Sequence, residues 1–542
     1  MHRCLRIQDV VEVVFGYLEP QFPRAGVIPQ TWKELARLGR TCKDFHNPAL
    51  DCLWRSATLG NLLRCLPPDL CVVDEVSAGG LWGKIYSLRF LRPVQSNDWE
   101  RVKIYAPRVQ KLYTITNDKL SAVFPTLNQC LPENLLCNLQ SLVWWYSDDF
   151  QYIQLFLGPR LTSLEIEAPI ESDSDLALFS ALAPKCPRLK KLRVGSRKMQ
   201  DTEVGPEAEA VSLFVRGLQS IESVSVHLLD QEALEHIRTL PTLKWLTLDT
   251  FPAGPMLSSI EDPRLPAPFA ALASLRLCYA VIETTTRFLS HCGILPLTSF
   301  SATVPELQTT AALHNLVATV ASTVLPTTLT AFNVHNHGRH DYFVGVQSPT
   351  DHLVLSDSLR LLFSYVNLTS VTITSPGSFD LDNDTVLAMT RAWPCIEVHL
   401  QSVFPVLPPR ATLECLRYFL HSPVLRTLAI MVDCAVAPVR NDDSGSGTIA
   451  ASSHPLVELD LSFSPLSRST VGVDTLAQFI SNIFPALRGV HTSWDIGDTE
   501  SYTLYQQVLR YRPYWRQVDA VIRGDPISPE DFWGEEEPDE SE

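Results

Sequence analysis

The spacing apolar-x-x-apolar-x-apolar recurs from residue 85 onward, and nothing else in the chain restricts its fold as strongly. Clear copies are Leu161-Thr-Ser-Leu164-Glu-Ile166, Leu189-Lys-Lys-Leu192-Arg-Val194, Leu243-Lys-Trp-Leu246-Thr-Leu248, Leu368-Thr-Ser-Val371-Thr-Ile373, Leu425-Arg-Thr-Leu428-Ala-Ile430 and Leu456-Val-Glu-Leu459-Asp-Leu461. Weaker copies start at Ile85, Val109, Leu139, Ile221, Leu272, Leu297, Leu329, Cys395 and Leu487. On average a copy starts about every 29 residues. In a strand, such spacing sends the apolar residues inward and the residues between them to the opposite face. Helical stretches fill the intervals, as at Asp175 to Ala183, Glu209 to Leu218, Gln231 to Thr239, Leu413 to Leu420 and Asp474 to Ile483. Pro187, Pro241, Pro394, Pro423 and Pro485 close them, because proline cannot continue a helix and holds its predecessor extended. Each copy therefore predicts one strand and one helix.

A strand-plus-helix unit of this period resembles the leucine-rich repeat. The resemblance implies an α/β solenoid (horseshoe) whose strands lie side by side, with the residues between the leucines on the concave face. With strands roughly 4.8 Å apart, the array spans on the order of 65 Å, which suits a protein partner better than a small molecule. The Asn or Cys that the repeat carries eight residues after its first Leu is replaced here by Pro169, Arg197, Leu229, Phe251 and His337, so the copies are degenerate. A doubly wound α/β enzyme also alternates strand and helix, but it needs a Gly-rich ligand turn, and neither GxGxxG nor GxxxxGK[ST] occurs.

The first sixty residues follow another rule. Ile7, Val10, Val11, Val14, Phe15 and Leu18 form a helical stripe that Pro20 and Pro23 end. Thr31 and Glu34 have capping-box spacing for a second helix, and Asn47-Pro48 offers the start of a short third one through Leu50, Leu53 and Trp54. Three short helices cannot cover their own apolar surface, so the unit wants a partner. Asp9-Val-Val, Val14-Phe15-Gly-Tyr-Leu18, Leu35-Ala-Arg-Leu-Gly-Arg-Thr-Cys-Lys-Asp-Phe45 and Pro48-Ala-Leu-Asp-Cys-Leu-Trp54 together resemble the divergent, fungal-type F-box, with Ile7 where the family has proline. That resemblance implies binding to the small Skp-type adaptor of a cullin-RING ubiquitin ligase through Ile7, Val10, Val11, Val14, Phe15, Leu18, Leu35 and Leu38.

Composition narrows the rest. Forty-five per cent apolar and 19% charged residues indicate a folded chain, and 44 Lys and Arg against 60 Asp and Glu leave no basic surface for nucleic acid. Met1 to Leu18 carries charges that exclude a signal peptide or membrane span, so the chain reads as cytoplasmic or nuclear, and the tripeptides at Asn367 and Asn383 stay unglycosylated. Thirteen Cys without a CxxC pair predict reduced, buried thiols. His335-Asn-His337-Gly-Arg-His340-Asp341 resembles a metallo-hydrolase motif only loosely and reads as a polar loop; no metal, cofactor or catalytic residue is expected, and a metal-dependent hydrolase is a distant third reading.

The domain plan is an F-box-like module over 1–60, a linker and cap over 61–84, repeats over 85–495, a C-terminal cap over 496–525 and an acidic disordered tail over 526–542, with a flexible insertion from Arg440 to Gly447. The expected function is substrate recognition for a ubiquitin ligase, the repeats binding a protein substrate through Trp145, Arg193, Lys244 and Trp245, chosen because Trp and Arg dominate binding energy. A protein-interaction scaffold without any ligase is the alternative.

Overall fold

A computed structural model describes residues 8–18, 30–76, 85–114, 118–146, 148–167, 170, 172–195, 205–251, 268–305, 307–336, 349–393, 397–403, 408–435, 454–466, 472–495 and 502–526. The chain divides into two units, Met1–Leu248 with Pro252–Met256, and Asp249–Phe251 with Leu257–Glu542.

In the first unit, helices α1 (Gln8–Gly16), α2 (Gln30–Leu38) and α3 (Lys43–Arg55) lead into β1 (Ser56–Thr58). This strand opens a parallel ladder continued by β2 (Lys111–Tyr113), β3 (Ser141–Trp144), β4 (Ser163–Ile166), β5 (Lys191–Val194), β6 (Ser223–Val226) and β7 (Trp245–Leu248). The second unit holds the parallel strands β8 (Ser274–Cys278), β9 (Ser299–Val304), β10 (Ala331–Asn336), β11 (Ser370–Ser375), β12 (Glu397–Ser402), β13 (Thr427–Ala429), β14 (Glu458–Asp460) and β15 (Val490–His491).

The apolar spacing works as the sequence predicts. Leu161, Leu164 and Ile166, for example, are each at most 1% exposed, and the equivalent residues of the other five clear copies are buried too. Return helices begin on a side-chain cap that shortens the turn out of the strand: Ser172 accepts from Asp175 N–H, Asp230 from Ala233, Thr309 from Ala312 and Asp382 from Thr385. The stretch Leu413–His421 is a 3₁₀ helix rather than an α-helix.

Where the repeat lacks its polar residue, other contacts tie neighbours together. The Thr after the first inward residue donates its hydroxyl to a carbonyl of the preceding repeat: Thr162 to Gln140 (3.1 Å), Thr298 to Ala273 (2.9 Å), Thr330 to Thr298 (2.9 Å) and Thr369 to Thr330 (3.1 Å). Behind the strands, Phe179 stacks on Phe214 at 4.7 Å and meets Phe150 edge-on at 6.0 Å. Leu229 and Phe251 are buried at the consensus polar position, which explains why a polar residue is not retained there.

Three differences from the sequence reading stand out. Ile85 does start a strand, Ile85–Phe90, but it pairs antiparallel with Cys71–Val76 and parallel with Asp118–Lys119, outside the ladder. The ladder instead starts earlier, at Trp54-Arg-Ser-Ala57-Thr-Leu59, where α3 runs directly into the strand and hides the pattern. The third helix also begins at Lys43 and carries Pro48 inside it rather than at its first position.

His454 makes this packing sensitive to pH. It is buried in the second unit, where Leu456 N–H donates to Nδ1 at 3.3 Å, so Nε2 carries the proton and donates toward the Phe419 and Ser422 carbonyls, each at 3.1 Å. Burial holds its pKa below the ordinary imidazole value, against the opposing pull of those carbonyls. A histidine whose folded pKa is depressed contributes stability above its unfolded pKa and loses it as pH falls below about 6.5 toward the folded value. The melting temperature should therefore drop more steeply between pH 7 and 5 for the wild type than for His454→Gln; parallel curves would remove His454 as the cause.

Candidate functional site

The sequence of α1 is apolar almost all round: Val10, Val11, Val13, Val14 and Phe15 crowd into six residues. Such a helix has one face for its own core and one left over. Val11 and Phe15 (both 3% exposed) meet Leu35, Ala49 and Cys52 in the centre of the module, with Leu18, Leu38, Phe45 and Leu53 packed around them. Phe15 and Phe45 cross edge to face at 5.4 Å. Gly39 lets α2 and α3 close up, since a Cβ there would sit 3.2 Å from that of Ala49.

The other face shows Val13 (62% exposed), Val14 (44%) and Tyr17 (86%), with half-buried Val10 beside them. Positions 10, 13, 14 and 17 form a single helical stripe on this second face. The eight residues chosen from the sequence thus divide: Val11, Phe15 and Leu35 lie in the core, Leu18 and Leu38 pack against it, Val10 and Val14 belong to the outer stripe, and Ile7 falls outside the described residues. Val13 and Tyr17 were missed because only the stronger stripe was followed. The module is fixed to the next segment by Arg108, which bonds the Asn47 side chain at 3.0 Å and pairs with Asp51, and by Trp54 stacked on Tyr105 at 4.6 Å.

On the strand faces of the first unit, Trp145 and Trp245 are 41% and 47% exposed, while their neighbours Trp144, Leu246 and Leu248 are buried. Lys244 bonds Glu222 at 3.1 Å and its ammonium lies 5.7 Å from the Trp245 ring centroid. Arg193 pairs with Glu165 and Glu167. Burial raises the pKa of Glu165, but hydrogen bonding to Glu167 and Arg193 outweighs it and leaves the carboxyl below its usual range. Glu222 is lowered by Lys190 and Lys244.

These residues do not converge. Trp245 opens β7 and Trp145 follows the end of β3, four inter-strand steps away, on the order of 20 Å. Between them lies a lattice of paired charges, spread over several strands rather than gathered round one point.

His335 ends up on β10, whereas His337, His340 and Asp341 fall outside the described residues, as do the insertion from Arg440 to Gly447 and the acidic tail beyond Pro526. No group of three or more metal-ligating side chains occurs among the described residues, and no helix among them is long and apolar enough to cross a membrane. The described cysteines are free thiols. Burial pushes Cys415 up to about 12, which makes it a poor nucleophile. Asn367 donates its side-chain amide to Thr327 O at 2.8 Å, and Asn383 exchanges two bonds with Thr412, so both act in the repeat framework.

No protein-family model and no curated protein matches the chain. Among solved structures it is similar to a chain of the crystal structure of the Rad7 and Elc1 complex in yeast, at 13% identity and a TM-score of 0.32, over 78% of this chain and 88% of that one. A likeness of that size establishes neither a common family nor a common partner.

The division of α1 into two faces has a direct test. Phe15→Asp, which sets a carboxylate among Val11, Leu35 and Cys52, should destabilise the module by about 3 kcal/mol or more, whereas Tyr17→Asp should change stability by less than about 0.5 kcal/mol. Urea titrations monitored by exchange of the module's amides measure both; equal losses would mean that Tyr17 is not on an open face.

Proposed function

We propose that the chain is the substrate-recognition subunit of a cullin-RING ubiquitin ligase, docking a Skp-type adaptor through its F-box-like N-terminal module and a protein substrate through leucine-rich repeats. The observation that carries this reading is the stripe of exposed Val13, Val14 and Tyr17 beside half-buried Val10, on a small helical module whose other face is already satisfied by its own core. Exposed apolar rows of this kind are costly to leave in water and mark interaction sites. The segments that resemble the F-box support the choice of adaptor. In this reading the chain is not an enzyme: ubiquitin transfer belongs to the other subunits, and the protein works in the cytoplasm or nucleus.

Co-purification of the full chain with the adaptor at micromolar concentration tests the docking step. The complex should form with the wild type and weaken at least tenfold with Val14→Asp or Tyr17→Asp, with the melting temperature unchanged. Absence of a wild-type complex favours the scaffold that binds proteins without a ligase.

The repeats are tested separately. Trp245 is open to solvent and flanked by Lys244, so Trp245→Ala should weaken capture of the substrate by roughly 1 to 3 kcal/mol, with little effect on thermal stability. Unchanged capture would move the substrate surface elsewhere.

A further inference from the structure

The last helix of the second unit carries a face that neither its core nor the proposed function uses. Tyr502–Arg523 buries Leu504, Val508, Trp515 and Val518. Tyr505, Leu509, Arg512 and Arg516 lie elsewhere on it, within an arc of about 60°. Tyr505 and Leu509 are 43% and 38% exposed, and the two arginine side chains are 36% and 45% exposed. Both guanidinium groups lean on one carboxylate oxygen, Asp495 Oδ1, at 3.1 Å each. Over the whole helix four Arg stand against one Asp.

The chain leaves this helix through a reversal. Gly524 adopts φ +73°, and Asp525 N–H bonds back to Ala520 O at 2.9 Å, the bond that turns a chain out of the helical path. From Gly524 to Glu542 the sequence has nine acids and no Lys or Arg, with Phe532 and Trp533 set between Glu530-Asp531 and Glu535-Glu536-Glu537.

The two patterns match in order as well as in kind. Going back from Arg523, the helix presents Arg516 and Arg512 at about 10 and 16 Å, then Leu509 and Tyr505 at about 21 and 27 Å. Going forward from Gly524, an extended chain reaches Glu530 and Asp531 within about 20 and 23 Å, then Phe532 and Trp533 within about 26 and 30 Å. Acid precedes aromatic on one side as base precedes apolar on the other.

We propose that the segment Glu530 to Glu537 docks on its own chain, its carboxylates on Arg512 and Arg516 and its two aromatic rings on Leu509 and Tyr505. The occupant of this face is the chain's own acidic end, joined by charge and by apolar contact.

The experiment uses the full chain with photoreactive p-benzoylphenylalanine in place of Trp533, irradiated and mapped by mass spectrometry. The main crosslink should fall within the same molecule on the peptide containing Tyr505 to Arg516. Its yield should drop at least fivefold with Leu509→Ser, with Arg512→Glu plus Arg516→Glu, and in about 1 M salt, where screening acts within roughly 3 Å. Leu509→Ser leaves both arginines in place, so it decides the matter even if the charge reversal disturbs the helix. Crosslinks to a second copy, crosslinks scattered over other surfaces, or a yield indifferent to Leu509→Ser would each overturn the proposal.

Discussion

The backbone ladder between parallel strands is the interaction on which everything else in this protein rests. Its register aligns one inward residue per repeat into a column. In the first unit the column runs Ala57, Leu112, Leu142, Leu164, Leu192, Val224 and Leu246. In the second it runs Leu275, Phe300, Phe332, Val371, Val398, Leu428, Leu459 and Val490. Every member is at most 5% exposed. A slip of one residue would turn a whole rung to solvent, so the alternation and the register enforce each other. The hydrogen bonds alone would tolerate the slip; the apolar columns do not.

A ladder also creates ends. The strand at each end of a repeat array has backbone groups and an apolar flank with no neighbouring repeat to receive them. At the C-terminal end of the second unit this is met in detail: Asp519 accepts the Val490 N–H at 2.8 Å, and Trp494 and Trp515 both donate to Ser464 O at 2.9 and 3.0 Å. Gly489 leaves room for that bond, because a Cβ would stand 2.7 Å from Asp519 Oδ1 and push the side chain aside. At the other end α3 feeds β1 without a break, so the helical module and the first rung are one continuous piece of chain.

How much of this could be read from the residues follows from what each pattern reports. Apolar spacing reports burial, and it located the strands of both ladders except the first, where Trp54, Ala57 and Leu59 follow the same rule but the small central residue weakens the signal. It also admitted Ile85, because a hairpin strand and a repeat strand both alternate and differ only in their partner. Spacing cannot say which of two apolar faces meets the core, and α1 has two. Of the stripe read from the sequence, Val11 and Phe15 lie in the module's core while Val10 and Val14 do not, and Val13 and Tyr17 stand at the complementary phase. Nor does a one-dimensional pattern measure distance across a sheet: Trp145 and Trp245 resemble a pair only until three strands are laid between them.

The same geometry lets the strand faces and the core vary independently here. Residues between the inward positions carry no part of the columns, and the two units use that freedom differently. In the first, Glu165, Arg193, Glu222 and Lys244 form crossed ion pairs over neighbouring strands. In the second, the position of Glu165 and Arg193 is taken by Arg276, Ser301, Asn333 and Thr372, and that of Glu222 and Lys244 by Ala273, Thr298, Thr330 and Thr369, so that of these only Arg276 is charged. An exposed ion pair contributes little to stability, about 0 to 1 kcal/mol, whereas a buried leucine of a column contributes several times that. Charges on the strand face are therefore nearly free to change, while the leucines beneath them are not. A chain built this way can keep one fold and one helical module while its strand faces are rewritten.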